Sequence, residues 1–388
     1  SIHSVMNSVI RVKRQSSGEL EALNFDMQAE GEKEALIHIE IDRQPDAALE
    51  GDITNLLQGT LRELQCAVGD FEVMQERTSA IRDELNELEN NQGEASLQEV
   101  KGFLAWLVQN HFTFLAMQEY KAVEKQGRTH FEAITDSALG VAKVCDSLDL
   151  LEQNGGPLIY EDKLIVFGKS GTRSRWHRPV YMDFIGIRKC DERGKVVGEY
   201  RWVGLYTSLV FNNSPRNFPI IGHKLRQVIS GSGLEPNGHD GKRLMQILET
   251  FPREELFQTS TEALLKTAVG ILHIQERRRL RLFARKGQFG RFLSCLIYTP
   301  RDGYSTALRK AFQGVLYEYV DVEDMEFNTY FTESTLARLY IVLKVKPGCK
   351  MDFDVKEVEG RLVELARSWA DRLYETLIES VGEDRAGM

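Results

Sequence analysis

The last third of the chain limits its own architecture through the order of its hydrophobic periods. "RRLRLFARK" and "RFLSCLIYT" read as strands and "STALRKAFQGVLYEY" as an amphipathic helix; "DMEFNTYF" and "ARLYIVLKV" read as strands again, and "EVEGRLVELARSWADRLYETLIES" as a closing helix. Strands repeat an apolar face every second residue, and helices about every 3.6. Two strand pairs, each followed by a helix, can therefore bury their apolar sides against one another as a small α+β sandwich.

The same pattern recurs upstream. "HFTFLAMQEYKAV" and "RTHFEAI" read as one strand pair, and "DKLIVFG", "RPVYMDFIGIRK" and "KVVGEYRWVGLYTS" as further strands. Ser96 and Glu99 form a capping box that opens a helix through "LQEVKGFLAWLVQN". Ser214-Pro215 starts another, which Pro219 interrupts, and "GKRLMQILETF" and "PREELFQTSTEALLKTAVGILHIQ" continue as a helical bridge. The first segment gives three strands, "NSVIRVKRQ", "ELEALNFDM" and "EALIHIEID", then helical spacing from Ile53 through Leu88, with one face packed and the other acidic. The fold class expected is α+β: repeated ferredoxin-like sandwiches, antiparallel sheets with helices on one face, joined by helical linkers.

Composition narrows the functional classes. With 42% hydrophobic and 28% charged residues the chain reads as a soluble globular protein. No apolar run approaches the ~20 residues that cross a bilayer, and "SIHSVMNSVIRVKRQ" lacks the order of a secretory signal, so no membrane partner and a cytoplasmic location are expected. Cys66, Cys145, Cys190, Cys295 and Cys349 are scattered without Cys-x-x-Cys spacing, which argues against disulfides and structural zinc. The net charge of −9 is uneven: residues 1–90 hold 8 Lys/Arg against 19 Asp/Glu, whereas Ile271 to Lys310 holds 10 against 2. A basic stretch in an acidic protein points to an acidic neighbour in the same assembly.

Several motifs suggest chemistry and lack its context. Gly168-Lys169-Ser170 follows an apolar run, but position 163 is Lys where a phosphate loop needs glycine, and no helix follows; a turn between two strands is the favoured reading. Gly231-Ser232-Gly233-Leu234-Glu235-Pro236 follows a helix and ends in proline, so it is no dinucleotide fingerprint. His273 and Glu276 lie one helical turn apart without a third ligand, and no Gly-x-Ser-x-Gly elbow occurs, so neither metal nor nucleophile is expected.

Two stretches remain open. Alternation places Arg279, Arg281, Phe283 and Arg285 on one face and Leu280, Leu282 and Ala284 on the other. Together with Arg277 these arginines form either a docking surface, a face covered by another element, or a nucleic-acid surface; the RNA signature is incomplete because Gln288, Phe289, Gly290 and Arg291 follow Lys286-Gly287. "YTPRDGYSTALRK" joins a buried-type strand to a helix. Asp302 or Ser305 can cap it, Gly303 lets backbone approach a ligand, and free N–H groups can hold an anion or carboxylate; the alternative is an ordinary capped turn.

"FLAWLVQNHFTFLAMQEY", "RSRWHRPVYMDFIGIRKCDERGKVVGEYRWVGLYTS", "HDGKRLMQILETFPREELFQTS", "GILHIQERRRLRLF", "FGRFLSCLIYTPRDGYSTALRKAF" and "ESTLARLYIVLK" together resemble the N-terminal part of the large bacterial NAD-specific glutamate dehydrogenases. The resemblance implies a run of ACT-like regulatory modules: a partial first module with its long helix over 1–92, a second over 93–232, a helical linker over 233–276 and a third over 277–388. It also implies that the glutamate and NAD sites lie in a separate catalytic region of the same polypeptide, so this portion is an excised, inactive fragment without cofactor. Homo-oligomers are implied, since ACT modules commonly pair across subunits. An amino-acid effector is implied at the loop after the first strand, here Arg301, Asp302, Gly303, Tyr304 and Ser305, although Asp302-Gly303 is shorter than the usual acid-x-x-glycine form. Nucleic-acid or nucleotide binding through 277–291 is the alternative function.

Overall fold

The alternating apolar positions of the first forty residues form a three-stranded antiparallel sheet in the order β2-β1-β3, from β1 (Ile2–Arg14), β2 (Leu20–Asn24) and β3 (Glu32–Ile41). Val5 pairs with Ile39 and Val9 with Ala35, and Arg14 grips Glu34 through Nε at 2.7 Å and Nη2 at 2.9 Å. Helix α1 (Ala47–Gly69) follows. Its Leu56, Leu57, Leu61 and Leu64 are exposed, so the apolar stripe expected to pack is bare along this helix. This computed structural model describes residues 2–26, 28, 30–43, 47–85, 94–125, 128–144, 164–191, 193, 195–274, 279–331 and 335–367. They fall into two units, 1–61 and 62–388.

In the second unit the helical stretch expected to run on to Leu88 breaks at Asp70. The Asp70 carboxylate accepts from the Gly140 N–H at 2.7 Å and pairs with Lys143 at 2.7 Å, and α2 (Phe71–Glu84) starts afresh beyond it. Helix α3 (Glu94–Trp106) follows, and the side chain of Ser96, expected to cap it, lies outside the described residues. A second antiparallel sheet then runs β5-β4-β9-β8-β7, from β4 (Phe112–Lys125), β5 (Arg128–Ala133), β7 (Ile165–Arg173), β8 (Tyr181–Cys190) and β9 (Val196–Tyr206), with the short β6 (Leu139–Gly140) on β4.

Five helices follow: α4 (Ser208–Asn212), α5 (Ile221–Gly231), α6 (His239–Thr250), α7 (Arg253–Gln258) and α8 (Thr261–Ile274). Ser214 caps only the single turn Pro215–Asn217, accepting from the Arg216 N–H at 3.4 Å; beyond Pro219, α5 restarts after Ile220 at φ 67°. A β-branched residue in that region is strained, and it marks the entry to the helical segment. The bridge read as one helix from Pro252 divides at Thr259-Ser260, where the Ser260 hydroxyl accepts from Ala263 N–H at 3.2 Å.

The last segment has the predicted order: β10 (Arg281–Lys286), β11 (Phe292–Pro300), α9 (Thr306–Tyr319), β12 (Val322–Phe331), β13 (Leu336–Val345) and α10 (Val355–Ala366), with the antiparallel sheet running β10-β11-β13-β12. Moving the first strand to the end would give the ferredoxin-like order βαββαβ, so this is a permuted ferredoxin-like sandwich. One face packs on α9 and α10 through Leu282, Cys295, Ile297, Leu339 and Ile341 against Phe312, Leu316 and Leu362. The other face, with Phe292, Leu296, Tyr340 and Val342, joins the core formed by α3, α5–α8 and the β4–β9 sheet. Helices cover both sides of the final sheet, and β11 is accordingly buried at every position but its last.

Gly168-Lys169-Ser170 belongs to β7 and not to a turn. The glycine is needed because the Phe289 ring, from the loop after β10, lies against it: a Cβ there would stand 2.3 Å from Phe289 Cε2. Phe289 also packs edge-on to Phe184, at 5.2 Å between ring centroids. Gly168→Ala is expected to cost about 1–3 kcal/mol by overpacking, and most of that cost should vanish in a Phe289→Leu background. Urea denaturation of the four proteins checks this; an unchanged cost would show that the ring is not the obstacle.

Candidate functional site

The loop between β11 and α9 is the first candidate. Residues Arg301–Gly303 make one tight turn, and the Arg301 N–H donates to Thr335 O at 2.9 Å. Ser305 caps α9, its hydroxyl accepting from Leu308 N–H at 3.1 Å, as one of the two sequence alternatives proposed. Tyr304 shares a 2.8 Å hydrogen bond between its hydroxyl and Thr329 Oγ1, and its ring meets Phe331 edge-on at 5.4 Å; the Arg301 guanidinium lies 5.6 Å from the Phe331 centroid. Arg301, Asp302, Gly303 and Ser305 are exposed, and the space around Gly303 is open. The five residues thus sit together against the far end of β12.

The basic stretch divides. Leu280 and Leu282 are buried, as alternation predicts, and Arg279 and Arg281 are exposed. Arg281 pairs with Glu359 of α10 at 3.1 Å. Arg285 points the opposite way from Leu282, onto α7, where it holds Glu255 through Nε at 2.6 Å and Nη2 at 2.7 Å. Arg277 lies outside the described residues. Arg281 and Arg285 are thus neutralised by carboxylates of the same chain.

A third cluster was not singled out from sequence. Lys169 on β7 and Asp183 on β8 are direct cross-strand partners, buried on a face that otherwise carries Phe167, Tyr181, Ile185 and Ile187. The Lys169 ammonium lies 2.9 Å from Glu254 on α7 and 3.4 Å from Asp183, and donates to Tyr181 O at 3.2 Å. Glu326 of β12 completes the group, accepting from the Tyr181 N–H at 2.9 Å, while Asp324 binds Arg173 at 2.6 Å and the Tyr181 hydroxyl. Burial, opposed by Lys169 and reinforced by Glu254, pushes the Asp183 carboxyl up to about 6. Burial also raises Glu326 against the pull of Lys169. The available signal was a lone Lys and a lone Asp inside apolar strands, "IVFGKS" and "YMDFIGI".

Glu255 behaves oppositely. Burial opposes ionisation there, but Arg285 outweighs it, with Tyr340 Oη donating at 2.9 Å, and holds the carboxyl below its usual range. Among the described residues no His/Cys/Asp/Glu group could hold a metal ion, and no helix is long and apolar enough to cross a membrane. Cys66, Cys190, Cys295 and Cys349 form no disulfide among the described residues, and Cys145 lies outside them.

A permuted ferredoxin-like sheet joined to a second antiparallel sheet by a run of helices is the α+β class of build to which ferredoxin-like ACT domains belong. Family models described as glutamate dehydrogenase ACT1 domain, helical motif 1 and ACT2 domain match residues 1–57, 218–277 and 281–370 in turn. The chain is 40% identical over 398 residues to the NAD-specific glutamate dehydrogenase of Halomonas elongata, a match covering 100% of this chain and 25% of that protein. It is 36% identical over 392 residues to that of Pseudomonas aeruginosa (99% and 24%) and 28% identical over 392 residues to that of Mycobacterium tuberculosis (95% and 23%). The chain belongs to the NAD-specific glutamate dehydrogenase family and spans about a quarter of the length of these relatives. Helices α5–α8 fall within the helical motif, and β10 to α10 within the ACT2 domain.

Glu255→Gln is expected to cost about 3–5 kcal/mol near neutral pH, because Arg285 is left buried against a neutral amide. The folded value of Glu255 lies below its unfolded one, so its stabilisation is present above the ordinary carboxylate range and lost as pH falls through the depressed value. Urea titrations at neutral pH and near pH ~3 should therefore show the difference between native and variant narrowing in acid.

Proposed function

We propose that the chain is the regulatory region of a large enzyme that oxidatively deaminates L-glutamate to 2-oxoglutarate and ammonia with NAD, and that it performs no catalysis by itself. The observation that carries this reading is the sequential match of the two ACT domains and the helical motif along the chain. The catalytic region, with its NAD site, is the partner in the same polypeptide. The module division proposed is 1–92, 93–232, 233–276 and 277–388, in a cytoplasmic homo-oligomer.

Within this reading Arg301, Asp302, Gly303, Tyr304 and Ser305 form an amino-acid effector site. What supports it is chemistry at one place: the exposed start of α9 offers N–H groups to a carboxylate, Asp302 offers a countercharge to an ammonium, and Tyr304 and Phe331 offer an apolar wall. The docking surface proposed toward an acidic part of the assembly is Arg277, Arg279, Arg281 and Arg285; Glu359 and Glu255 already hold Arg281 and Arg285, and what supports the reading is the exposed Arg279.

A thermal-shift series with L-glutamate, L-aspartate, L-arginine, citrate, NAD and a short single-stranded RNA tests this. A ligand at about 100 times its dissociation constant adds roughly 2.7 kcal/mol to the native state, several degrees in midpoint. One amino acid should raise the midpoint, and Asp302→Ala should abolish the rise. A shift with RNA alone, vanishing in salt, would overturn the effector reading.

A further inference from the structure

Lys169, Asp183, Glu254 and Glu326 come from β7, β8, α7 and β12, so one buried cluster joins the middle sheet, the helical motif and the final sheet. Fully ionised, it sets three carboxylates around one ammonium. Such an imbalance, out of water, is relieved most simply by one proton. We infer that this junction is a proton-linked clamp: taking up one proton as the surroundings acidify from neutrality, it tightens the hold of β12 and the final sheet on β8 and α7.

The groups facing Asp183 account for the direction. From β7 comes Lys169, the one attraction; from α7 comes Glu254, a repulsion; from β9 comes Tyr206, buried, its own ionisation pushed well up and its backbone N–H bonded to the carboxylate. Glu326 from β12 acts on the same Lys169 and is repelled by Glu254. Arg173 and Asp324 form a pair at the outer edge, which holds Asp324 ionised despite its partial burial. Adding a proton to an Asp183 oxygen removes the repulsion with Glu254 and reduces the surplus to two carboxylates, Glu254 and Glu326, sharing Lys169.

The sign follows from linkage. The Asp183 value in the fold, about 6, lies above the ordinary 3.8, so the folded state binds more protons between these limits and stability rises as pH falls through about 6. This is opposite to Glu255, which follows Glu254 on α7. The clamp needs no bound effector and stands apart from the loop at 301–305.

Hydrogen exchange on the 388-residue chain, corrected for intrinsic rates, reads the clamp at the β12 amides. Between about pH 7.5 and about pH 5.5 their protection should rise, by up to about fourfold, the limit linkage sets for a site moving from the ordinary 3.8 in a fully solvated open state to about 6 in the closed one. Asp183→Asn should remove the rise. Should that variant fold poorly, Glu254→Gln is the second arm: with the repulsion gone, the midpoint should move to lower pH. An unchanged rise in Asp183→Asn, an unmoved midpoint in Glu254→Gln, or a flat profile in the native chain would each overturn the inference.

Discussion

Glu254 and Glu255 are neighbours on α7, and successive helical residues point about 100° apart, so they reach two different sheets. Glu254 meets Lys169 on β7, whereas Glu255 meets Arg285 on β10 and Tyr340 on β13. The helix that sets this divergence is only six residues long and could not hold itself together. Lys224 of α5 fixes its far end, donating to the carbonyls of Leu256 at 2.6 Å, Thr259 at 2.8 Å and Phe257 at 3.2 Å. The Phe257 ring stacks on Tyr206 at 4.6 Å and packs against Trp106, tying α7 to the middle sheet and to α3. The two sheets of this unit meet through that turn of helix, through Phe289, and directly where Arg173 and Tyr181 meet Asp324, Glu326 and Phe292.

The consequence is a final sheet covered on both faces along β11 and β13. ACT-type sandwiches place helices on one side, and α9 and α10 do so here, but α7 and α8 with the middle sheet occupy the other. Strand β12 stands at the edge of that arrangement and looks both ways. Asp324 and Glu326 face Arg173, Tyr181 and the buried lysine, while Thr329 and Phe331, on the alternate positions, meet Tyr304. The loop before α9 and the charged junction therefore touch opposite faces of one strand, a few residues apart.

How much of this was legible depended on range. The order of elements from Arg279 onward followed from periodicity, and so did the burial of Leu280 and Leu282, because both are set within a strand's own length. The unbroken apolar run of β11 also signalled two covered faces, although not what covers them. Helix ends were less legible: nothing local to Asp70 announces that its carboxylate belongs to Gly140, seventy residues away. Gly168-Lys169-Ser170 was misread for the same reason. Turn-forming composition outweighed strand pattern, whereas a ring from position 289 and carboxylates from positions 183 and 254 decide the outcome. Arg285 shows the converse: its face was predicted correctly, but only the fold shows a glutamate waiting there.

Apolar side chains could have filled both junctions with less loss of hydration. Replacing buried ion pairs by well-packed apolar groups is often neutral or stabilising, so stability alone does not account for Lys169 and Arg285. Two properties distinguish the charged solution. Bidentate pairing of Arg285 with Glu255 admits one orientation of the sheet on α7, whereas aliphatic contacts would tolerate sliding. The surplus of carboxylate at Lys169 leaves its contact sensitive to protons, while the matched pair at Glu255 holds its carboxyl ionised below the usual range. Adjacent residues of one short helix thus provide a junction that is fixed and one that can be tuned, and the difference between them is the count of charges each encloses.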